Sequence, residues 1–139
     1  MAVFAFEPDL YLNPETDNWE YEYRPYLFVK LGYRRRFSGN SIRALVDSGS
    51  DHNIFPAELA IEIGLNYKKG VKRKTTAVDE YAFIVYGNRL KIGYEGKVIE
   101  TVIYFGENAK IPILGRNGFF NYFRKVNFNV KKKNFELIE

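Results

Sequence analysis

The stretch Ala44-Leu45-Val46-Asp47-Ser48-Gly49-Ser50 places one carboxylate directly after an apolar run and before three small residues. The apolar residues from 42 to 46 predict a β-strand. Gly49 and the two serines beside it predict a tight turn. Gly49 would let backbone and substrate approach closely, and the hydroxyls of Ser48 and Ser50 could hydrogen-bond to the carboxylate or to the neighbouring chain. By itself, such a tetrapeptide is more often an ordinary Asx or Ser turn between two strands. Whether Asp47 is a functional carboxylate or part of an ordinary turn therefore depends on the rest of the chain.

Length and composition indicate one domain that is mostly β-sheet. The chain has 139 residues, 17% aromatic residues and no cysteine. This length is sufficient for a single hydrophobic core, and the abundance of Tyr and Phe favours strands. The lack of cysteine excludes a disulfide framework and thiolate chemistry. We expect a cytoplasmic protein, because the first residues carry no basic signal-peptide region and no apolar run approaches the length of a membrane span.

The charge is distributed unevenly along the chain. Residues 1–24 contain six acidic residues and one basic residue, for a net charge of −5, whereas the remainder contains twenty basic and eleven acidic residues, for +9. We therefore predict an acidic N-terminal extension over 1–24 and one domain over 25–139. Basic clusters at 34–36, 72–74 and 131–133 could attract nucleic acid. Solvated strand ends and hairpin turns are the favoured interpretation of these clusters, so nucleic acid is not an expected partner.

The pattern of apolar residues predicts an all-β fold with two short helices. Strands are predicted at 26–31, at 42–46, across most of 72–105, and in a closing hairpin formed by 126–130 and 135–138. One helix is predicted to begin after Pro56 and to end before Gly64, because proline suits the first helical turn and glycine the C-terminus. A second short helix is predicted within 117–123. Turns are predicted at Gly87-Asn88 and at Glu95-Gly96.

A second motif, Ile113-Leu114-Gly115-Arg116-Asn117, lies well downstream of the first. The first motif is also followed by Asn53-Ile54-Phe55-Pro56 and a predicted helix that ends at Gly64-Leu65. In this order, the motifs resemble those of retropepsin-type aspartic proteases, the single-domain relatives of retroviral proteases that occur also in bacteria and archaea. The resemblance extends over about residues 26–139 and leaves 1–24 unmatched.

The resemblance implies a closed, barrel-like acid protease fold with one lobe per chain. It assigns Asp47 as the catalytic aspartate and Ser48, Gly49 and Ser50 as its active-site loop. An aspartic protease needs two such carboxylates, which share one proton so that one can activate water while the other donates to the substrate carbonyl. The chain contains a single Asp-Ser-Gly. A homodimer that cleaves a peptide or protein substrate is therefore implied, with Ser48 and the hairpin over 126–139 as candidate dimer contacts.

The second motif is expected to support this loop. Ile113 and Leu114 would pack beneath it, and Gly115 would allow the two backbones to pass closely. In retroviral members, the acid and the arginine that match Asp51 and Arg116 form an ion pair beside the active site. The planar guanidinium group makes arginine the suitable partner for such a carboxylate.

No cofactor is expected. His52 is the single histidine of the chain, and one imidazole does not form a zinc site without further ligands. His52 is instead expected to be a turn residue or a contact in the wall of the cleft.

The predicted lid over the substrate differs most from the family pattern. By position, this flap would cover 72–86, and its tip would consist of Thr76, Ala77, Val78, Asp79, Glu80 and Tyr81. This tip contains no glycine, although a lid must move during turnover. Asp79 and Glu80 are interpreted as solvated loop charges. A binding or assembly module on the same fold, with little or no turnover, therefore stays open as an alternative function.

Overall fold

The computed structural model describes residues 1–76 and 82–139, and β-strands dominate it. The strands are β1 Ala2–Ala5, β2 Glu7–Asn13, β3 Asn18–Arg24, β4 Tyr26–Tyr33, β5 Arg36–Phe37, β6 Ile42–Val46, β7 Ile54–Pro56, β8 Val71–Thr76, β9 Ala82–Tyr94, β10 Lys97–Gly106, β11 Ile113–Leu114, β12 Lys125–Asn129 and β13 Asn134–Ile138. The helical elements of the described residues are α1 Ala57–Glu62 and the 3₁₀ helices Tyr67–Lys69 and Phe120–Tyr122.

Six strands close into a barrel in the order β4, β6, β11, β7, β10 and β9. Closure comes from β4, which pairs with β6 on one side and with β9 on the other, where Leu31 lies opposite Ile92. Strands β5 and β8 extend the sheet beyond the barrel from β4 and β9. The predicted fold class, mostly β with a closed barrel, is confirmed.

The barrel interior is filled by alternate apolar side chains. Along β9 and β10, buried and more exposed residues alternate, as expected when one face of a sheet covers a core. The largest fully buried side chains of the barrel include Leu31, Phe55, Ile92, Ile103 and Phe105. Each such side chain contributes about 1.5–3 kcal/mol to folding through burial. In β6, Ala44 and Val46 are buried in the core. Their burial holds β6 in place, and Asp47 follows this strand directly.

The chain termini form two smaller sheets. Strand β1 pairs antiparallel with β13, with Ala2 opposite Leu137, and β13 pairs with β12. The closing hairpin is therefore present with bounds close to those predicted. Strands β2 and β3 form a separate two-stranded hairpin. The domain boundary at residue 25 stays a prediction.

The predicted turns and helices are only partly correct. Helix α1 ends before Gly64, whose φ of 76° is in the left-handed region that favours glycine. The turn at Glu95-Gly96 is present between β9 and β10. The turn predicted at Gly87-Asn88 is wrong, because β9 continues through both residues. A Cβ atom on Gly87 would lie 2.8 Å from the ring of Tyr104, so this glycine makes room for an aromatic side chain.

The second predicted helix is reduced to the 3₁₀ helix Phe120–Tyr122. Gly118 has a φ of 116°, which is incompatible with a helix that begins at residue 117. In the part of the chain that the structure describes, no helix reaches the length and apolarity needed to cross a membrane.

Candidate active site

Asp47 lies directly after β6, at the end of a strand that has neighbours on both sides. Its backbone N–H donates to the carbonyl of Leu114 at 3.0 Å, and the N–H of Val46 donates to the carbonyl of Pro25 at 2.8 Å. These bonds tie the end of β6 to β11 and to the start of β4. The Asp47 residue is half-buried. A carboxylate is therefore delivered by a rigid part of the barrel to a position that solvent can reach.

The loop from Asp47 to Ser50 is a tight turn that holds the carboxylate. The N–H of Gly49 donates to Oδ1 of Asp47 at 2.8 Å, and the N–H of Ser50 donates to the Asp47 carbonyl at 3.2 Å. The hydroxyl of Ser50 donates to the carbonyl of His52 at 2.8 Å, whereas Ser48 is exposed at the tip. The backbone of residues 47–50 therefore forms the Asx turn that the sequence suggests. The same turn orients the Asp47 carboxylate.

The second motif passes directly against this loop. A Cβ atom on Gly115 would lie 2.4 Å from the carbonyl oxygen of His52, so only glycine permits this backbone approach. The N–H of Arg116 donates to the carbonyl of Ser50 at 2.9 Å, and the N–H of Asn117 donates to that of Asp51 at 2.8 Å. Segments separated by more than sixty residues are therefore joined into one unit behind Asp47.

Asn53 is a positioning residue that the sequence analysis did not single out. Its side chain is fully buried, accepts a hydrogen bond from the N–H of Gly115 at 3.0 Å and donates to the carbonyl of Val102 at 3.2 Å. Thr101 is similarly buried and donates to the carbonyl of Gly118 at 2.6 Å. The sequence does contain a sign of this role, since Asn53 directly precedes the apolar strand β7. An amide buried at such a position needs hydrogen-bond partners.

Arg116 forms an ion pair with Asp51 beside the loop. Their side chains are 55% and 68% exposed. Exposed pairs of this kind contribute only about 0–1 kcal/mol to stability. A functional role for the pair stays a prediction.

Asp47 opens onto a cavity of about 570 Å³. Its lining combines the active-site loop, the end of β8 and the segment before β11: Asp47, Gly49, Ser50, Asp51, His52, Ile54, Arg73, Lys74, Thr75, Phe83, Asn108, Ala109, Lys110, Ile111 and Ile113. The cavity is within the size range of ligand sites, and its lining combines polar and apolar side chains.

The charged side chains that line this cavity are of both signs. Arg73, Lys74 and Lys110 are basic, whereas Asp47 and Asp51 are acidic. The pKa of His52 lies below its ordinary value, because burial disfavours the imidazolium ion and the charge of Arg73 adds to this effect, although Asp51 acts in the opposite direction. His52 is therefore neutral at pH 7 and packs against the ring of Tyr104 at 5.1 Å between centroids.

The remaining predicted site residues are placed as follows. Ile113 lines the cavity, whereas Leu114 is fully buried in the barrel beneath the loop. Thr76 ends β8 opposite Ala82 of β9, in an antiparallel pair. The rest of the predicted flap tip lies outside the described residues, namely Ala77, Val78, Asp79, Glu80 and Tyr81. Among residues 1–76 and 82–139, no group of three or more His, Cys, Asp or Glu is placed to hold a metal ion.

No protein-family model matches the sequence. No curated protein sequence matches it either. In a comparison with solved structures, the chain is similar to EIAV protease complexed with the inhibitor HBY-793, with 19% identity and a TM-score of 0.48. The similarity covers 67% of this chain and 82% of that one, and it is a similarity of the backbone structure.

Proposed function

We propose that this protein is an aspartic endopeptidase in which Asp47 residues from two copies of the chain activate a water molecule. One observation carries the proposal. The Asp47 carboxylate is oriented by the N–H of Gly49 at 2.8 Å and lines a cavity of about 570 Å³. Such a carboxylate, held by a buried framework and open to a cleft, is suited to proton transfer with a bound substrate.

The second carboxylate comes from a second chain in this proposal. Among the described residues, Asp51 is the other acid that lines the cavity, and Arg116 engages it in an ion pair. The whole sequence contains one Asp-Ser-Gly. A two-fold axis beside the exposed Ser48 would bring two Asp47 carboxylates together, because the same surface of each copy then faces the other.

Two carboxylates placed side by side in this way hold one proton between them, because both cannot be ionised at once. The ionised Asp47 removes a proton from water, and the resulting oxygen nucleophile attacks the carbonyl carbon of the peptide bond. The protonated Asp47 of the other copy donates to the carbonyl oxygen as charge develops there. The first Asp47 then passes the proton that it took from water to the amide nitrogen, and the second Asp47 takes back a proton from a hydroxyl group of the tetrahedral intermediate. The C–N bond breaks, an acid and an amine are released, and the carboxyl pair again holds one proton.

The cavity fits an extended peptide. Its apolar residues Ile54, Phe83 and Ile113 can receive apolar side chains, and strands at its edge offer backbone hydrogen bonds. Arg73 and Lys74 favour acidic side chains next to the cleaved bond, since opposite charges attract most strongly where water is displaced.

A binding or assembly module is the second candidate. The observation that favours it is the lack of glycine in residues 76–81 of the sequence, where a lid would have to bend. In such a module, Asp47 would orient a bound peptide without cleaving it.

The test is a digest of a peptide library between about pH 4 and 7, the range in which a carboxyl pair exchanges one proton. The proposal predicts cleavage by the native chain that is lost in Asp47→Asn and blocked by a pepstatin-type inhibitor. Glu58→Gln is the control, because it makes the same change from carboxylate to amide at an exposed position of α1. Cleavage that persists in Asp47→Asn contradicts the proposal, and a complete lack of cleavage favours the module.

A further inference from the structure

The hairpin formed by β2 and β3 has one polar and one apolar face. In its register, Pro8 lies opposite Tyr23, Leu10 opposite Tyr21 and Leu12 opposite Trp19. These six side chains share a face because alternate residues of a strand point the same way. The other face carries the acids and their partners: Glu7, Asp9, Tyr11, Asn13, Asn18, Glu20, Glu22 and Arg24.

The polar face is directed toward the hairpin's own domain. Asp9 forms an ion pair with Arg43 and accepts a hydrogen bond from the hydroxyl of Tyr26, which is buried in β4. The Arg43 guanidinium also lies 4.0 Å from the ring centroid of Tyr26 and donates to the carbonyl of Pro8 at 3.2 Å. These contacts fix the orientation of the hairpin, so its apolar face points away from the core.

Most of the apolar face is therefore exposed in the single chain, although Lys133 Nζ of the same chain lies 4.4 Å from the ring centroid of Tyr23 at its base. The exposed fractions are 57% for Leu10, 46% for Leu12, 65% for Trp19 and 64% for Tyr21. A two-sided antiparallel sheet normally buries its apolar face and exposes its polar one. A contiguous apolar patch of this kind marks an interaction surface, and exposed Trp and Tyr are the residues most enriched in such surfaces.

The base of the hairpin adjoins the surface on which the proposed dimer forms. A cavity of about 440 Å³ is lined by Phe6 and Arg24 at the ends of the hairpin and by Asp47 and Ser48 of the active-site loop. Val130, whose side chain is 75% exposed, contributes to the same cavity. A second copy whose Asp47 lies beside this Asp47 would also contact the base of the hairpin, because both border the same cavity. Seven residues per strand allow the hairpin to reach about 24 Å across that copy.

Charge at the tip of the hairpin also favours a second copy as the occupant. Four acids lie on the polar face that contacts the hairpin's own domain, whereas Glu15 and Asp17 are exposed at the tip. Residues 25–139 carry a net charge of +9. The acidic tip is therefore attracted to the basic body of a partner chain, which also steers the encounter of the two copies.

We propose that, in the homodimer, the hairpin β2–β3 of each copy lies as an arm across the other copy and buries its apolar face there. This inference rests on the proposed function, which also requires two copies. It adds that the segment over 7–24 holds the dimer together, while the polar face of each arm keeps its contacts with its own domain.

Trp19 makes the arm directly measurable, because it is the single tryptophan of the chain. The experiment follows Trp19 fluorescence and its quenching by acrylamide during dilution, with sedimentation of the same samples. The expected result is that dimers show blue-shifted emission and at least about threefold less quenching than monomers, because the indole leaves water. The arm is ruled out if dimers form and Trp19 is quenched in them as strongly as in monomers.

A pair of variants tests the energetics. Leu10→Ser with Tyr21→Ser is expected to weaken dimerisation at least about tenfold, since two interface side chains are lost. Ile61→Ser with Val98→Ser is the control, because both side chains are more than half exposed elsewhere on the domain. Equal dimer affinity in the two double variants overturns the proposal. Circular dichroism establishes folding, and the Trp19 measurement on the native chain still tests the arm if the variant does not fold.

The two proposals fail in different ways. Asp47→Asn abolishes cleavage if the peptidase proposal is correct, but it leaves the fluorescence change of Trp19 in place if the arm is correct. A shielded Trp19 without any cleavage supports the arm and counts against the peptidase. Cleavage that depends on Asp47, together with an exposed Trp19 in the dimer, supports the peptidase and rules out the arm.

Discussion

The buried side-chain carbonyl of Asn53 accepts a hydrogen bond from the backbone N–H of Gly115 at 3.0 Å. This bond joins the segment after the active-site loop to the second motif, 62 residues away. The same amide donates to Val102 on β10, so one side chain connects three parts of the barrel. The position of Asp47 therefore depends on a residue that is itself outside the cavity.

Asn53→Ala is expected to destabilise the fold by about 1–3 kcal/mol, because it leaves the buried N–H of Gly115 without its acceptor. Urea unfolding followed by circular dichroism measures this change. Asn40→Ala, in an exposed turn, is the matched control and is expected to shift stability by less than about 0.5 kcal/mol. Equal effects of the two substitutions would show that the Asn53 bond does not stabilise the fold.

Gly115→Ala is expected to cost at least about 2 kcal/mol, because its Cβ would lie 2.4 Å from the His52 carbonyl and the backbone would have to move. Gly39→Ala is the control, since a Cβ on Gly39 meets no atom within 4 Å. This control is expected to be neutral or slightly stabilising. Thermal unfolding of the two variants gives the comparison, and an unchanged midpoint for Gly115→Ala contradicts the close packing of the motifs.

The ion pair between Asp51 and Arg116 is expected to matter for activity and little for stability. Arg116→Ala should change the free energy of unfolding by less than about 1 kcal/mol, because both side chains are more than half exposed. A double-mutant cycle with Asp51→Ala measures the coupling. On the proposed function, kcat/KM on a peptide substrate falls while stability is retained, and a coupling well above about 1 kcal/mol argues for a structural role instead.

The docking of the hairpin on its domain is expected to weaken in acid. Burial by itself raises the pKa of Asp9, but the hydrogen bonds from Tyr26 and Arg43 and the charges of Arg43 and Arg24 outweigh it, so the pKa lies below its ordinary value of 3.8. A lowered carboxyl pKa stabilises the folded state above the ordinary pKa. That contribution is lost as the pH falls below 3.8 and through the lower pKa of the folded state.

Asp9→Asn is therefore expected to lower the free energy of unfolding at about pH 6 and to approach the native chain as the pH falls below about 4. Urea titrations at several pH values measure the difference, and Asp17→Asn in the exposed turn serves as control. A difference that stays constant from neutral to acidic pH shows that the ionised Asp9 does not stabilise the docked hairpin.

The barrel could be predicted from the sequence because its strands and turns have clear local patterns. The strand before Asp47 is apolar, α1 lies between Pro56 and Gly64, and the closing hairpin alternates clearly. Gly87-Asn88 was misleading, because its glycine is required by the ring of Tyr104 across the sheet and not by a turn. A contact between residues far apart in sequence cannot be inferred from the local pattern.

The hairpin β2–β3 and the role of Asn53 were not predicted for related reasons. The charge of residues 1–24 indicated an acidic extension and no strands were predicted there, although Leu10, Leu12, Trp19 and Tyr21 alternate with polar residues as in a strand. The side-chain amide of Asn53 has a structural role only because the backbone N–H of Gly115, far away in the sequence, donates to it. Motifs thus located the candidate site, whereas its supporting contacts required the three-dimensional structure.

The central claim, that two chains each contribute Asp47 to one site, is tested most directly by mixing native and Asp47→Asn chains. The measurement is peptidase activity after subunit exchange, at constant total protein and increasing fraction of the variant. If both chains are needed, activity falls with the square of the native fraction, since a dimer with one Asp47 is inactive. A fall in simple proportion to the native fraction would show that each chain works alone and that the dyad does not exist.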